Sequence, residues 1–350
     1  MSKNLLNFID RPLSFDSFSD NYFTHGSRVS LVRNIEGHKF LEVATFKEKI
    51  AILAELKEVV HIVFQGLSPK CEFLSLSSFS VVELQYLKSL GLISDVNIIN
   101  SSTVFIDPEN KLFITINDVE HLRICSWGPG NEFISLLGKL GQYDTELNKK
   151  LNYSFSNELG FYTSSLNSLG TGLKTAVNIF LPGLTILEQI NSIKNAALKL
   201  HVSLENVGES LDSRNNMLYQ FTNLTTIGKT ELEILEHLEF AYTNLKDQEL
   251  NARNYLMKNR RVFMHDLIAK SYSQLKYAFS LEYDEALVFL QSAILGKYYG
   301  IINTLTDEVL LRLLEQIKPT YLALFKEYEG LDEDINEIRA SIIKKQLGAL

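Results

Sequence analysis

Cysteine is scarce. Only Cys71 and Cys125 occur in 350 residues, and they lack metal-ligand spacing. They are expected to be reduced, buried thiols of a cytoplasmic protein. No uncharged apolar run is long enough to span a membrane, and the N-terminal MSKNLLNFIDRPLSFD lacks the apolar core of a signal peptide. Six prolines are spread thinly, so no Pro-rich linker divides the chain. Lys and Arg number 34 against 42 Asp and Glu, a net charge of −8. That balance speaks against a general nucleic-acid coat, though not against a local basic pocket.

What is present is an ordinary globular composition, 45% hydrophobic and 22% charged, with enough residues for two domains and a sizeable core. Up to about residue 228 the texture is mixed α/β. HIVFQGL, KLFITI and HLRICSW read as strands, and FKEKIAILAELKEVVH reads as a helix from its apolar spacing of three and four. From Glu231 onward a long stretch lacks Pro and Gly and keeps a helical period. Asp307 after Thr306 is a helix start. The reading is a mixed domain, a long helix near 230 to 258, and an all-helical domain.

Four polar stretches could hold chemistry. NSLGTGLKTAV, residues 167 to 177, has Gly170, Gly172 and Lys174. It is not a Walker loop, because Leu173 stands where that loop needs a glycine before the lysine. THGSRVSLVRN reads as a polar turn with Arg28 and Arg33. In INDVEHLRICSW, alternation puts His121 and Arg123 on one face, a possible pocket wall. ENVGESLDSRNNMLYQFTN is a polar loop with Glu205, Glu209 and Arg214. Taken singly, each has an ordinary reading: a solvated turn arginine, a structural histidine, loop decoration.

Their order along the chain resembles the guanidino-kinase (phosphagen kinase) superfamily and, within it, the McsB-type bacterial protein-arginine kinases. GSRVSLVRN is similar to the family's Ser-Ser-Arg-x-Arg-x-x-Arg-Asn segment, and NDVEHLRI to its Asn-Glu-Glu-Asp-His-Leu-Arg-Ile strand. ELGFYTSSLNSLGTGLKTAVNIFLPGL resembles its Gly-Thr-Gly-Leu-Arg segment with the following Leu-Pro-x-Leu. MLYQFTNLTTIGKTE resembles the segment closing the catalytic domain, and AILGKYYGII and IRASIIKKQL match the helical domain. The resemblance implies an α+β fold: a catalytic domain at 1–229 with an antiparallel sheet flanked by helices, a linker helix at 230–258, and an all-α dimerisation domain at 259–350. It implies phosphoryl transfer from ATP, with Mg, to a guanidinium on a protein, and no metal ligand from the protein itself. Expected partners are a protein substrate, a zinc-finger activator protein, a Clp ATPase and a second copy of the chain; no nucleic acid and no membrane are expected.

On this resemblance the phosphate-binding residues are Ser27, Arg28, Arg123 and Lys174, and the catalytic ones Glu209 and His121. Such chemistry needs arginines to neutralise the phosphates and carboxylates to orient the guanidinium and take its proton. Several are missing. The family's catalytic strand glutamate falls at Val119, between Asp118 and Glu120. Two cage arginines fall at Ser30 and, with a gapped alignment, at Leu204; a third is Lys174, and the reactive cysteine is Ser165. A lost base costs ~10²–10⁴ in rate, a lost electrostatic contact ~10²–10³, without simple multiplication. The expectation is weak or lost catalysis; the alternative to an enzyme is a pseudokinase scaffold for a Clp-type complex. Near the C-terminus, INEIRA keeps Arg339 and Ala340 of the family's phosphoarginine pocket but has Ile335 and Asn336 for its Arg and Asp, so that pocket is expected to be degenerate.

Overall fold

The computed structural model describes residues 18–67, 72–94, 101–107, 109–207 and 216–348. The first half of the chain gives β1 (Thr24–Arg33), α1 (Phe46–Leu67), β2 (Glu72–Ser75), α2 (Val81–Ser89), β3 (Thr103–Asp107), β4 (Leu112–Ile116) and β5 (Leu122–Gly128). Then come α3 (Phe133–Asn148), the short β6 (Phe155–Ser156) and β7 (Gly160–Phe161), β8 (Leu173–Phe180), α4 (Pro182–Ile186), α5 (Ile190–Lys199), β9 (Val202–Asn206) and β10 (Leu218–Asn223). The remainder is helical: α6 (Glu231–Asn259), α7 (Arg261–Tyr277), α8 (Tyr283–Tyr298), α9 (Asp307–Gln316), α10 (Pro319–Glu329) and α11 (Ile335–Gln346).

Eight strands form one sheet in the order β2-β3-β4-β5-β1-β8-β10-β9, and every neighbouring pair is antiparallel. The fold is therefore α+β with an antiparallel sheet flanked by helices, as the resemblance implies. Two local expectations are corrected. HIVFQGL is not a strand but the end of α1, because Ile52, Leu56, Val60, Val63 and Phe64 continue one buried stripe at helical spacing. THGSRVSLVRN is not a polar turn but β1, at the centre of the sheet, with Val29 and Leu31 buried between its polar residues.

Alternation sorts the sheet into two faces. Val29, Leu31, Ile114, Leu122, Ile124 and Val177 pack with α1, α3 and α6 in one core. On the opposite face Val104, Ile106, Phe113, Cys125 and Trp127 pack with α2 and with Tyr321, Leu324 and Ile338 of the C-terminal helices. Arg28, Ser30 and Lys174 stand on this second face.

The long helix α6 opens with a capping box, Thr230 accepting from Glu233 N–H while the Glu233 carboxylate accepts from Thr230 N–H. Its far half carries a fully buried ion pair. Arg253 Nε donates to Glu249 at 2.6 Å. Glu249 also accepts from Gly183 and Leu184 N–H, at 2.8 and 2.9 Å, in the first turn of α4. Arg253 reaches the carbonyls of Asn21, Tyr22 and Phe180, and Tyr299, just past the end of α8, donates to the Arg253 carbonyl. A Cβ at Gly183 would lie 2.8 Å from Arg253 N and 3.0 Å from Glu249 Oε1, so glycine permits the contact. One pair thus joins the sheet, α6 and the helical layer. Breaking a buried pair from one side leaves a charge uncompensated. Arg253→Met should lower the unfolding free energy by about 3–5 kcal/mol, read from the urea midpoint, and Glu249→Gln/Arg253→Met should cost less than the single change.

Candidate active site

The site is built on the second face of β1, β5 and β8. Register places Arg28 opposite Trp127 and Ala176, Ser30 opposite Cys125 and Lys174, and Val32 opposite Arg123. Arg28, Arg123 and Lys174 therefore surround Ser30. Strand alternation makes this grouping unavoidable once the register is set. Ser27, one residue earlier than Arg28, turns its side chain to the other face and is buried. The residue nonetheless belongs to the lining of the cavity that Arg28 also lines.

The three cations are in different electrical states. Lys174 is exposed; partial burial lowers its ammonium pKa, with Arg123 adding to the shift and Glu120 opposing it. No hydrogen bond or ion pair holds its Nζ among the described residues. Arg28 is half-buried, with Nη2 donating to the Leu90 carbonyl at 2.7 Å. Its remaining N–H groups keep donor capacity. Arg123 is neutralised: Nη2 meets Asp118 Oδ2 at 2.9 Å, and the guanidinium donates to the carbonyls of Gly91 and Leu92. Asp118 in turn accepts from Ser94 N–H and Oγ–H, both at 2.8 Å. The turn after α2 thus docks on both arginines. Gly91 makes the approach possible, since at φ +71° a Cβ there would fall 2.1 Å from Arg28 Nη1.

The Gly-Thr-Gly turn before Lys174 is not a phosphate cradle. Gly170 N–H donates to Phe161 O, Thr171 N–H to Thr226 O, and Gly172 N–H to Ser168 O. Leu173 N–H donates to Thr171 Oγ1. The glycines serve close packing instead: a Cβ on Gly170 would lie 2.4 Å from Thr226 O, and on Gly172 2.5 Å from Val32 O. Arg33, beside Arg28 in the motif, is spent on Asp144 at 2.8 Å and stacks over Phe161 at 3.7 Å.

Val119 sits in the β4–β5 turn and is 44% exposed. Its acidic neighbours are both engaged. Asp118 holds Arg123 and Ser94, as above. Glu120 is buried and accepts from Asn34 Nδ2 at 2.5 Å, from Ser164 N–H and Oγ–H at 2.9 and 2.8 Å, and from Ser165 N–H. It thereby fixes the loop carrying Ser165. His121 shares no pocket wall with Arg123. Its Nδ1 accepts from Ile35 N–H at 3.0 Å and its Nε2–H donates to Lys39 O at 2.9 Å. Both ring nitrogens are consumed by backbone, and burial lowers its pKa. It is a positioning group for the chain after β1. Glu209, like Arg214 and Cys71, lies outside the described residues. Leu204 is buried in the core behind the sheet. Ser203 and Glu205 share the other face of β9, and Glu205 is the register partner of Gln220. The site-facing residue at that height is therefore acidic, one position away from the gapped alignment. Arg339 is buried and donates to Ile317 O, Leu281 O and Asn336 Oδ1. It ties α11 to the turns around it.

Beside Lys174, a groove of about 320 Å³ includes Arg28, Ser30, Gln220 and Asn223. It shares Arg28, Ala176 and Gln220 with a larger cavity, of about 500 Å³, beneath the C-terminal helices. No cluster of three or more possible metal ligands occurs among the described residues. Sequence reading missed the helical side of the cavity, where Tyr283, Glu315 and Lys318 face the sheet. No local motif announces them, since α8 to α10 carry ordinary amphipathic patterns.

The model of the ATP:guanido phosphotransferase C-terminal catalytic domain matches residues 55–252. That of the protein-arginine kinase McsB C-terminal domain matches 261–350. Among curated proteins, the protein-arginine kinase of Halothermothrix orenii is 28% identical over 326 residues, 92% of each chain. That of Pelotomaculum thermopropionicum is 29% identical over 335 residues, 93% of this chain and 92% of the relative. Among solved structures, a lombricine kinase superposes with TM-score 0.55 at 20% identity, covering 67% of this chain and 68% of its own. The duplicated taurocyamine kinase of Schistosoma mansoni with bound transition state analog components reaches 0.57 at 21%, covering 73% and 38%. At that identity the structures share the fold.

His25, at the edge of the cavity, is held neutral. Burial, then the nearby Lys318 charge, lowers its pKa to about 4. Protonation therefore favours unfolding: this contribution is complete above pH 6.5 and is lost as pH falls from 6.5 toward 4. The expected loss is roughly 3 kcal/mol. Comparing the pH dependence of thermal unfolding with that of His25→Gln should isolate it as a difference confined to that window.

Proposed function

Because the chain belongs to the ATP:guanido phosphotransferase family and carries the C-terminal domain of the protein-arginine kinases, we propose that it keeps a weakened nucleotide site but transfers little or no phosphoryl group to protein arginine. It acts as a protein-binding pseudokinase. The observation that carries this reading is the state of the carboxylates around Val119. The family's reaction needs a free carboxylate to take a proton from the guanidinium. Here the position is a valine, and both flanking carboxylates are saturated by Arg123, Ser94, Asn34 and the Ser164 loop. The nucleotide site is also short of charge. Lys174 and Arg28 can meet a triphosphate; Arg123 is neutralised in place, and Ser30 adds no charge. When bound, Mg-ATP would supply the phosphoryl group and its own counter-ion, with Lys174 and Arg28 as the protein contacts.

The partners follow from the branch of the family: a target protein, a zinc-finger activator, a Clp-type ATPase of cytoplasmic protein quality control, and a second copy of the chain through the helical layer. Arg339, whose Nε and Nη1 donate to protein oxygens, contributes to the stability of that layer and not to phosphoarginine recognition.

A single-turnover assay with labelled ATP and a protein acceptor, read by acid-labile phosphoarginine, tests the reading. The wild-type protein should give no signal above a mock reaction. Val119→Glu alone should remain at that level, because it restores a carboxylate without releasing Arg123. Robust phosphoarginine formation by either protein would restore the kinase reading.

A further inference from the structure

The 500 Å³ cavity lies between the open face of the sheet and the helical layer, and its size suits a nucleoside. The sheet contributes Arg28, Asn178 and Gln220; the helical layer contributes Tyr283, Glu315 and Lys318. Glu315 ends α9. Its Oε2 is held by Lys318 Nζ at 2.6 Å, whereas its Oε1 is buried and has no hydrogen-bond partner. A buried carboxylate oxygen without a donor is unfavourable, so a ligand that brings an N–H to it is selected.

The charge around the cavity narrows the ligand. Arg28 and Lys318 bring two cations against one carboxylate, and His25 is neutral. A guanidinium would meet net positive charge; a neutral aromatic amine would not. The adjoining groove supplies Lys174 and the shared Arg28 for an anionic tail. A wall of leucines from α8 and α9 suits a flat base.

We infer that Glu315, brought from the helical layer, is a specificity residue of the nucleotide site, accepting a hydrogen bond from the exocyclic amine of adenine through its unpaired Oε1. This rests on the nucleotide binding proposed above and adds to it the group that reads the base. It also makes the helical layer a wall of the site, so that a ligand spans both layers.

The experiment is calorimetric titration of the full chain, in the presence of Mg, with ADP and with IDP, which carries an oxygen acceptor in place of the amine. Wild type should bind ADP about tenfold tighter than IDP, the size expected for one hydrogen bond to a charged acceptor. Glu315→Gln offers a donor as well as an acceptor and should bring the two affinities together. Glu315→Asp keeps the charge but shortens its reach and should also lose the preference; circular dichroism checks that both variants fold. An ADP-to-IDP ratio unchanged by either variant would overturn the assignment while leaving nucleotide binding intact. Absence of binding by wild type to both nucleotides would overturn the nucleotide reading and this inference together. Displacement of ADP by free arginine, abolished in Glu315→Gln, would assign the cavity to a guanidinium and overturn the base contact.

Discussion

The ion pair between Asp118 and Arg123 decides the character of this site. A guanidinium facing the second side of the sheet could serve an anionic ligand, but here a carboxylate from the preceding hairpin turn reaches it at 2.9 Å. The same carboxylate captures Ser94, so the turn after α2 is drawn down onto both arginines. Leu92 and Ile93 of that turn are fully buried against the sheet, which makes the docked position part of the core. The carbonyls of Leu90, Gly91 and Leu92 then take guanidinium donors that an incoming anion would otherwise find. Of the three cations around Ser30, Arg123 is thus compensated by a carboxylate in the fold.

The surrounding architecture holds this arrangement rigidly. The register of β1 with β5 and β8 fixes which side chains share a face, and a slip of one residue would send Arg28 into the core. Glu249 and Arg253 fasten α6 to the first turn of α4 and to the chain before β1. The helical layer covers the sheet through Tyr321, Leu324 and Ile338. It therefore roofs the cavity next to the cations, and the two layers act on one ligand space.

Much of this was legible in the sequence, for identifiable reasons. The strand and helix types followed from short β-branched runs and from three-and-four spacing, as in KLFITI and the start of α1. The helix α1 was cut short because HIVFQGL is β-branched and apolar, a pattern that a buried helix end also satisfies. Central strand β1 looked like a turn because its site face carries Gly26, Arg28 and Ser30, which only the register reveals as one row. The valine at position 119, between two acidic residues, was visible from the motif. Neutralisation of Arg123 was not, because it depends on a hairpin turn folding back and on a distant turn meeting it. His121 fell by alternation on the face of Arg123, but β5 begins at Leu122 and the ring belongs to the preceding turn. Leu204 was one residue away from the site face for a similar reason: alternation in β9 cannot be placed by an alignment with a gap.

The central claim is that the remaining cage is under-charged because Arg123 is held by Asp118. Calorimetric titration of Mg-ATP into wild type and Asp118→Asn tests it most directly. The account predicts wild-type affinity weaker than about micromolar, roughly −8 kcal/mol, and an increase of about tenfold in Asp118→Asn as the guanidinium is released. Submicromolar binding by the wild type, or an affinity that stays the same or falls in Asp118→Asn, would contradict it.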